Sequence, residues 1–174
     1  MTPEFSRPVR IDTLGFEPRA IEIDANEEER AALARRFGLV EIRSLAASLT
    51  LSRKGDEVAM KGRLRAGVTQ SCVVTDAALD AKVDEPFDVL FRPQPASTGA
   101  EDEIELGESE LDVVFYDGGA IDIGEAVAET LSLSLEPYPR APDAEEVLRA
   151  AGVKSEEEAG AFGALAALRD KLKK

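Results

Sequence analysis

The chain has 174 residues, the length of one ordinary domain plus a tail, and a chain of that size can bury about 70% of its unfolded surface. A composition that is 44% hydrophobic and 32% charged excludes full disorder, and no run approaches the roughly 18 consecutive apolar residues that would span a bilayer. The 35 Asp and Glu against 21 Lys and Arg leave a net charge of -14, which repels phosphate backbones unless basic residues are segregated on one face, and which favours a basic protein partner.

In chain order, the segment Phe5 to Ile23 alternates Val9 with Ile11 and Ile21 with Ile23, broken by Pro8, Gly15 and Pro18, and predicts two short strands with a turn between them. Asn26 offers a side-chain oxygen to the free N–H groups of a helix start, with Glu29 at capping-box spacing. Leu33 and Phe37 share a face of that helix, and Gly38 is placed to end it left-handed. After Gly38 the period changes from helical to alternating. Val40, Ile42, Leu45, Leu49 and Leu51 mark a strand whose phase slips near Ser44 to Ala47, the sign of a bulge or bend. Lys54-Gly55-Asp56 reads as a hairpin turn into a long antiparallel strand carrying Val58, Met60, Leu64, Ala66 and Val68, where Gly62 and Gly67 point to curvature. A turn over Asp76 to Asp80 leads into a further strand, Leu79 to Phe91, that Pro86 should kink or hold at an edge.

Pro93 to Ser109, with its prolines and the acidic run Glu101-Asp102-Glu103, reads as a mobile loop. Leu111 to Tyr116 restores a strand, ended by Asp117-Gly118-Gly119, and Asp122 caps a helix with Glu125 at the capping-box position. Ile123, Val127, Leu131 and Leu135, joined by Ala126, Thr130 and Leu133, give that helix an apolar face to bury against the sheet. Pro137, Pro139 and Pro142 stop it. Ala144 to Glu158 reads as acidic and loosely helical, and Phe162 to Leu172 as a small amphipathic basic helix. The expected fold is α+β: a curled, mainly antiparallel sheet, open or partly closed like a barrel, with a few packed helices. Residues 1–143 are expected to form a single domain with its loop at about 93–109, and 144–174 an acidic, then basic, helical tail.

Histidine is absent, which removes the commonest general base, the usual activator of a Ser or Cys nucleophile and the commonest transition-metal ligand. Cys72 is the one cysteine, so neither an intramolecular disulfide nor a cysteine-rich zinc site can form, and it reads as a small buried apolar side chain. Asp76, Asp80, Asp84, Glu85 and Asp88 lack the spacing of a calcium loop and read as solvated charges on the polar face of a strand. Asp117-Gly118-Gly119 lacks the spacing of a phosphate cradle, and Ser71, Ser109 and Ser132 have no histidine and no nucleophile elbow. No catalytic residue, metal site or cofactor is expected. Glu125 and Glu129 lie one turn apart. They read either as the wet face of their helix or, with Tyr138 and Arg140 of the proline-rich exit, as a fixed surface of residue types enriched where proteins touch. Phe162 to Leu168 reads as a core-packing helix, as a segment that docks on a partner, or, with its flanking lysines and arginines, as a contact for RNA.

Several of these pieces together carry a resemblance: the glycine-containing strand leading to Cys72-Val-Val-Thr75, then Phe87 to Pro93 and the acidic loop. After these come Ile121-Asp-Ile-Gly-Glu-Ala-Val-Ala-Glu129, Leu131-Ser-Leu-Ser-Leu135, Pro137-Tyr-Pro-Arg140 and the Phe162 to Leu168 segment. From about Val40 onward the chain resembles the YceD family, also described as large ribosomal RNA subunit accumulation proteins, and Cys-Val-Val-Thr with Pro-Tyr-Pro-Arg looks like its alphaproteobacterial branch. In many members the strand end resembles C-x-R-C, with a further cysteine after the proline-rich segment, a set able to bind a metal. Here Thr75 stands for the second cysteine, and Arg140 to Asp143 supplies none.

The resemblance implies a role in accumulation of large-subunit (23S) ribosomal RNA, hence in ribosome assembly, without enzymatic activity. Joined to the charge, the expectation is a cytoplasmic assembly factor that holds a basic large-subunit ribosomal protein or assembly intermediate through Glu125, Glu129, Tyr138 and Arg140, with Phe162 and Leu165 on the tail. The N-terminus, Met1 to Arg10, has no apolar stretch behind a basic one, in keeping with that compartment and with no membrane contact. The alternative is an RNA-binding module that binds precursor rRNA directly through a basic strand face of Arg53, Lys54, Lys61, Arg63 and Arg65. A hydrolase or nuclease using carboxylate-bound magnesium is the weakest reading.

Overall fold

The computed structural model describes residues 3–95 and 112–153, so most of the expected acidic loop and all of the expected basic terminal helix lie outside the described residues. The chain divides into two units, Met1–Gln70 with Asp80–Glu136, and Ser71–Leu79 with Pro137–Lys174.

The first unit is built on a five-stranded sheet in the order β2 (Arg19–Asp24), β3 (Glu41–Lys54), β4 (Glu57–Ser71), β5 (Ala78–Pro93) and β6 (Asp112–Tyr116). The β2–β3 and β3–β4 pairs are antiparallel, whereas β5 and β6 run parallel. The sheet begins at β2 and ends at β6 without closing, so of the two expected forms, open and barrel-like, the open one is realised. A separate two-stranded ribbon pairs β1 (Pro8–Arg10) with β7 (Ala120–Asp122).

One face of the sheet is the core. Leu45, Leu49 and Leu51 of β3, Val58, Met60 and Leu64 of β4, and Val83, Phe87, Val89 and Phe91 of β5 all turn inward. They form one apolar cluster with Leu33 of α1 (Glu27–Phe37) and with Val127 and Leu131 of α2 (Ile123–Leu133). Full burial of each such side chain is worth about 1.5–3 kcal/mol, which is why the period-two pattern dominates the fold. The phase slip expected in β3 is a register shift between Ile42 and Ser44 that carries the inward set from Ile42 to Leu45. Gly62 answers to packing more than to curvature: a Cβ there would lie 2.7 Å from Cζ of Phe87 and 2.5 Å from the Ser48 carbonyl oxygen. Pro86 falls where β5 has no pairing with β6, which takes only Val89 to Pro93, as an edge proline requires.

Local chemistry sets the helix ends. Asn26 Oδ1 accepts from Glu29 N at 2.9 Å while Glu29 Oε2 accepts from Asn26 N at 2.8 Å, and Gly38 closes α1 at a φ of 66°. Glu29 also takes Arg7 in a two-pronged ion pair at 2.6 and 2.9 Å. At α2 the capping is one-sided. Asp122 accepts from Gly124 N and Glu125 N, but the Glu125 carboxylate turns to Arg36 instead of reaching back. Leu133, expected on the apolar face, is 81% exposed in the last turn.

In the second unit a tight turn follows β4. Asp76 N donates to Cys72 O at 3.0 Å and Asp76 takes a φ of 58°, so the turn comes earlier than the expected Asp76 to Asp80 and the strand resumes at Ala78. Cys72, Ala141 and Ala144 form a small buried cluster with Val74 and Leu79 against it. The helix α3 spans Ala144–Ala150 and ends before Gly152 at a φ of 82°, and the remainder of the expected Ala144 to Glu158 stretch, from residue 154 on, lies outside the described residues.

Candidate functional site

The solvent face of the sheet carries ordered stripes. Cross-strand pairing sets Lys61 opposite Thr50, Arg63 opposite Ser48 and Arg65 opposite Ala46, and on the far side of β3 it sets Glu22 opposite Ser48 and Asp24 opposite Ala46. Small side chains on β3 thus lie between a carboxylate column on β2 and a cation column on β4. The cations are matched from β5: Lys61 pairs with Asp88 at 2.6 Å, Arg63 with Asp84 at 2.5 Å, and Arg43 with Asp80 at 2.6 Å. Arg65 reaches Asp84 only at 3.7 Å. The Asp80 carboxyl is held below its usual range, by Arg43 first and then by the Thr69 hydroxyl at 2.8 Å.

The five-residue basic set is therefore not one face. Lys61, Arg63 and Arg65 alternate outward along β4 as expected. Arg53 instead donates to the carbonyls of Ile11 and Gly55, each at 2.8 Å, beside a hollow of about 590 Å³ that Tyr116 and the Gly118-Gly119 turn also line. Lys54 stands exposed at the end of β3. Sequence reasoning passed over Arg43 and Lys82 as members of this face. The signal was present, since Lys82 has the same parity as Asp80, Asp84 and Asp88 on a strand of period two.

On α2, Glu125 meets both guanidinium nitrogens of Arg36, at 2.6 and 3.0 Å, and Arg36 also takes Glu4 at 3.0 Å. These bonds hold the Arg36 guanidinium firmly protonated and tie α1 to α2. Glu125 is thus engaged within the fold, whereas Glu129, one turn on, is exposed. Tyr138 and Arg140 belong to the second unit, where Tyr138 is 72% exposed and Arg140 is also exposed. Val73 N donates to Pro139 O at 2.9 Å, which fixes the backbone between them. Phe162 and Leu165 lie outside the described residues.

Cys72 is fully buried, as a small apolar side chain should be, but its sulfur also works as an acceptor. Ala141 N donates to Sγ at 3.2 Å and Val74 N at 3.4 Å. The Thr75 hydroxyl, followed by these N–H groups, draws the thiol down to about 7, against the opposing effect of burial. Among the described residues no three His, Cys, Asp or Glu side chains gather as a metal would need, and the buried neighbours of Cys72 are Ala141 and Ala144. The residues here do not fit a metal. The thiol does fit a pH dependence. A folded value below the unfolded one near 9 adds stability that is complete above pH 9 and lost as the pH falls through 7. The melting-temperature difference between the native protein and Cys72→Ser should therefore widen from pH 7 to pH 9; a constant difference would show that the sulfur stays a thiol.

The family model of the large ribosomal RNA subunit accumulation protein YceD matches residues 60–169, well over half of the chain. The chain belongs to the YceD family. No curated protein and no solved structure matches it. The matched span starts within β4 and takes in Cys72, the α2 carboxylates and the Tyr138 segment, while the β3 side of the striped face precedes it. YceD proteins carry a name that describes accumulation of large-subunit ribosomal RNA and no enzymatic activity, which supports a role in ribosome assembly. Among the described residues no helix is long and apolar enough to cross a membrane.

Proposed function

We propose that this YceD-family protein is a non-enzymatic assembly factor of the large ribosomal subunit that acts in the cytoplasm by holding a basic ribosomal protein on its acidic surface. The observation that carries this reading is the pairing of the β4 cations with the β5 aspartates. Among the described residues the ion pairs leave no open cationic track to offset the net charge of -14, so the long-range field attracts polycations and repels RNA. Glu129, Tyr138 and Arg140 are the assigned contacts, with Phe162 and Leu165 on the tail; Glu125 contributes while shared with Arg36. Direct binding of precursor rRNA has less support. Of its five cations, Lys61 and Arg63 have carboxylate partners and Arg53 is spent on carbonyls, and the outward positions of β4 carry no aromatic ring for bases to stack on.

Affinity purification from growing cells at two salt concentrations tests the choice. At low salt a basic large-subunit protein should be recovered, and raising salt until the Debye length shrinks from roughly 8 Å to about 3 Å should release most of it. Glu129→Lys should weaken recovery in the low-salt arm. Recovery of precursor rRNA without any ribosomal protein, or of neither at low salt, overturns the proposal.

A further inference from the structure

On the striped face, the β3 bulge opens a hollow of about 710 Å³ in the first unit, bounded by β3, β4 and β5. Bulges re-aim side chains, and here the extra residue sends Arg43 across β4, where Nη2 donates to Val68 O at 3.2 Å and Nη1 pairs with Asp80. Arg43 and Asp80 are thereby satisfied and form a fixed wall. Three other groups lining the hollow retain donors. Ser44 Oγ accepts from Gly67 N at 3.1 Å, which leaves the hydroxyl proton to point elsewhere. Arg65 has its nearest carboxylate at 3.7 Å, beyond hydrogen-bonding distance, because Asp84 is taken by Arg63. Lys82 makes no ion pair among the described residues.

A hydroxyl, a guanidinium and an ammonium on one concave surface make an anion site. Its three cations, Arg43, Arg65 and Lys82, exceed its two carboxylates by one charge, so it suits a single negative charge. We infer that this hollow binds one carboxylate of a polypeptide, a side chain or a C-terminus, and so fixes the register of the protein that the acidic surface holds. Its assignment to a polypeptide rests on the function proposed above. A nucleic-acid strand would have to lay its further phosphates past Asp88 on one side or Glu22 and Asp24 on the other, whereas an isolated carboxylate meets, besides the donors, only the hollow's own Asp80 and Asp84, each already paired with an arginine.

The test uses the full-length 15N-labelled protein without any ribosomal component, so it fails independently of the affinity purification. N-acetylglycine, its amide and dimethyl phosphate are titrated in turn while the Ser44 and Gly67 amides and the Arg65 Nε–H are followed by NMR. N-acetylglycine should give saturable shifts at all three, and the amide none. Arg65→Gln and Lys82→Gln should each weaken binding about tenfold or more, the size of one lost charge-assisted hydrogen bond. Both side chains are exposed, so the variants keep the fold and an otherwise unchanged spectrum. No saturable shift, or shifts that survive in both variants, overturns the site; tighter binding of dimethyl phosphate than of N-acetylglycine overturns the carboxylate and assigns the hollow to RNA.

Discussion

Replacing Gly124 with alanine is expected to destabilise the first unit by roughly 3 kcal/mol, the upper end of what overpacking costs. In an ordinary helix the same change stabilises by about 1 kcal/mol, so the sign alone is diagnostic. At Gly124 an added Cβ would press on the Phe5 carbonyl oxygen and lie 2.9 Å from Arg7 N. Both are backbone atoms, and neither is free to move. Asp122 accepts from Ser6 Oγ at 2.5 Å and Arg7 N at 2.7 Å as well as from Gly124 N at 3.0 Å, and Ile123 N donates to Arg7 O at 3.2 Å. Relieving the clash means breaking part of that set. Urea unfolding of the variant measures the effect; a Gly124→Ala protein as stable as the native one would show that the N-terminal segment is not docked there.

Those same contacts mark the boundary of what the sequence makes legible. Asp122 as a cap, Asn26 with Glu29 as a capping box and Gly38 as a helix stop are read from residues within four positions of each other, where geometry leaves little choice. The slip in β3 is legible for a similar reason, because moving from Ile42 to Leu45 breaks a period of two and only an extra residue restores it. What Glu125 does with its carboxylate is decided by Arg36, 89 residues away, and nothing in the local pattern names that partner. Gly62 reads as curvature until the Phe87 ring is placed over it. Leu133 has helical spacing from its neighbours, yet it sits in the last turn, off the stripe set by Ile123, Val127 and Leu131, where no core residue covers it. The parallel pairing of β5 with β6 depends on how the chain returns, which periodicity does not encode.

The candidate surface divides along the same line. Alternation along β4 correctly puts Lys61, Arg63 and Arg65 on one face, and alternation along β5 does the same for Asp80, Asp84 and Asp88. Whether two such rows face each other is a matter of strand order and register, so the sequence alone leaves the cations open when the fold closes most of them. Cys72 was legible as buried because it had no partner cysteine or histidine. Its role as a hydrogen-bond acceptor for Ala141 N, 69 residues on, was not.

If the β5 carboxylates are what keep RNA off this face, removing them should create an affinity that the native protein lacks. Asp84→Asn with Asp88→Asn raises the net charge of -14 by two and releases Lys61, Arg63 and, more weakly, Arg65 from their partners. All three point outward from alternate positions of β4, a spacing of about 7 Å that matches successive phosphates of an extended strand. Three new phosphate contacts predict a rise of about tenfold or more in binding of a single-stranded oligouridylate at 50 mM salt. The logarithm of that affinity should fall with the logarithm of salt with a slope near -2, about 0.7 per contact. Fluorescence anisotropy at 50 and 200 mM salt reads both quantities. The fold should tolerate the change, since both aspartates are at least part-exposed and exposed ion pairs contribute only about 0–1 kcal/mol. A double variant that binds RNA no better than the native chain would show that the distant carboxylates, and not the ion pairs on the sheet, set the repulsion; tight binding by the native chain itself would mean that the pairs yield to phosphate, and the assembly role would then run through RNA.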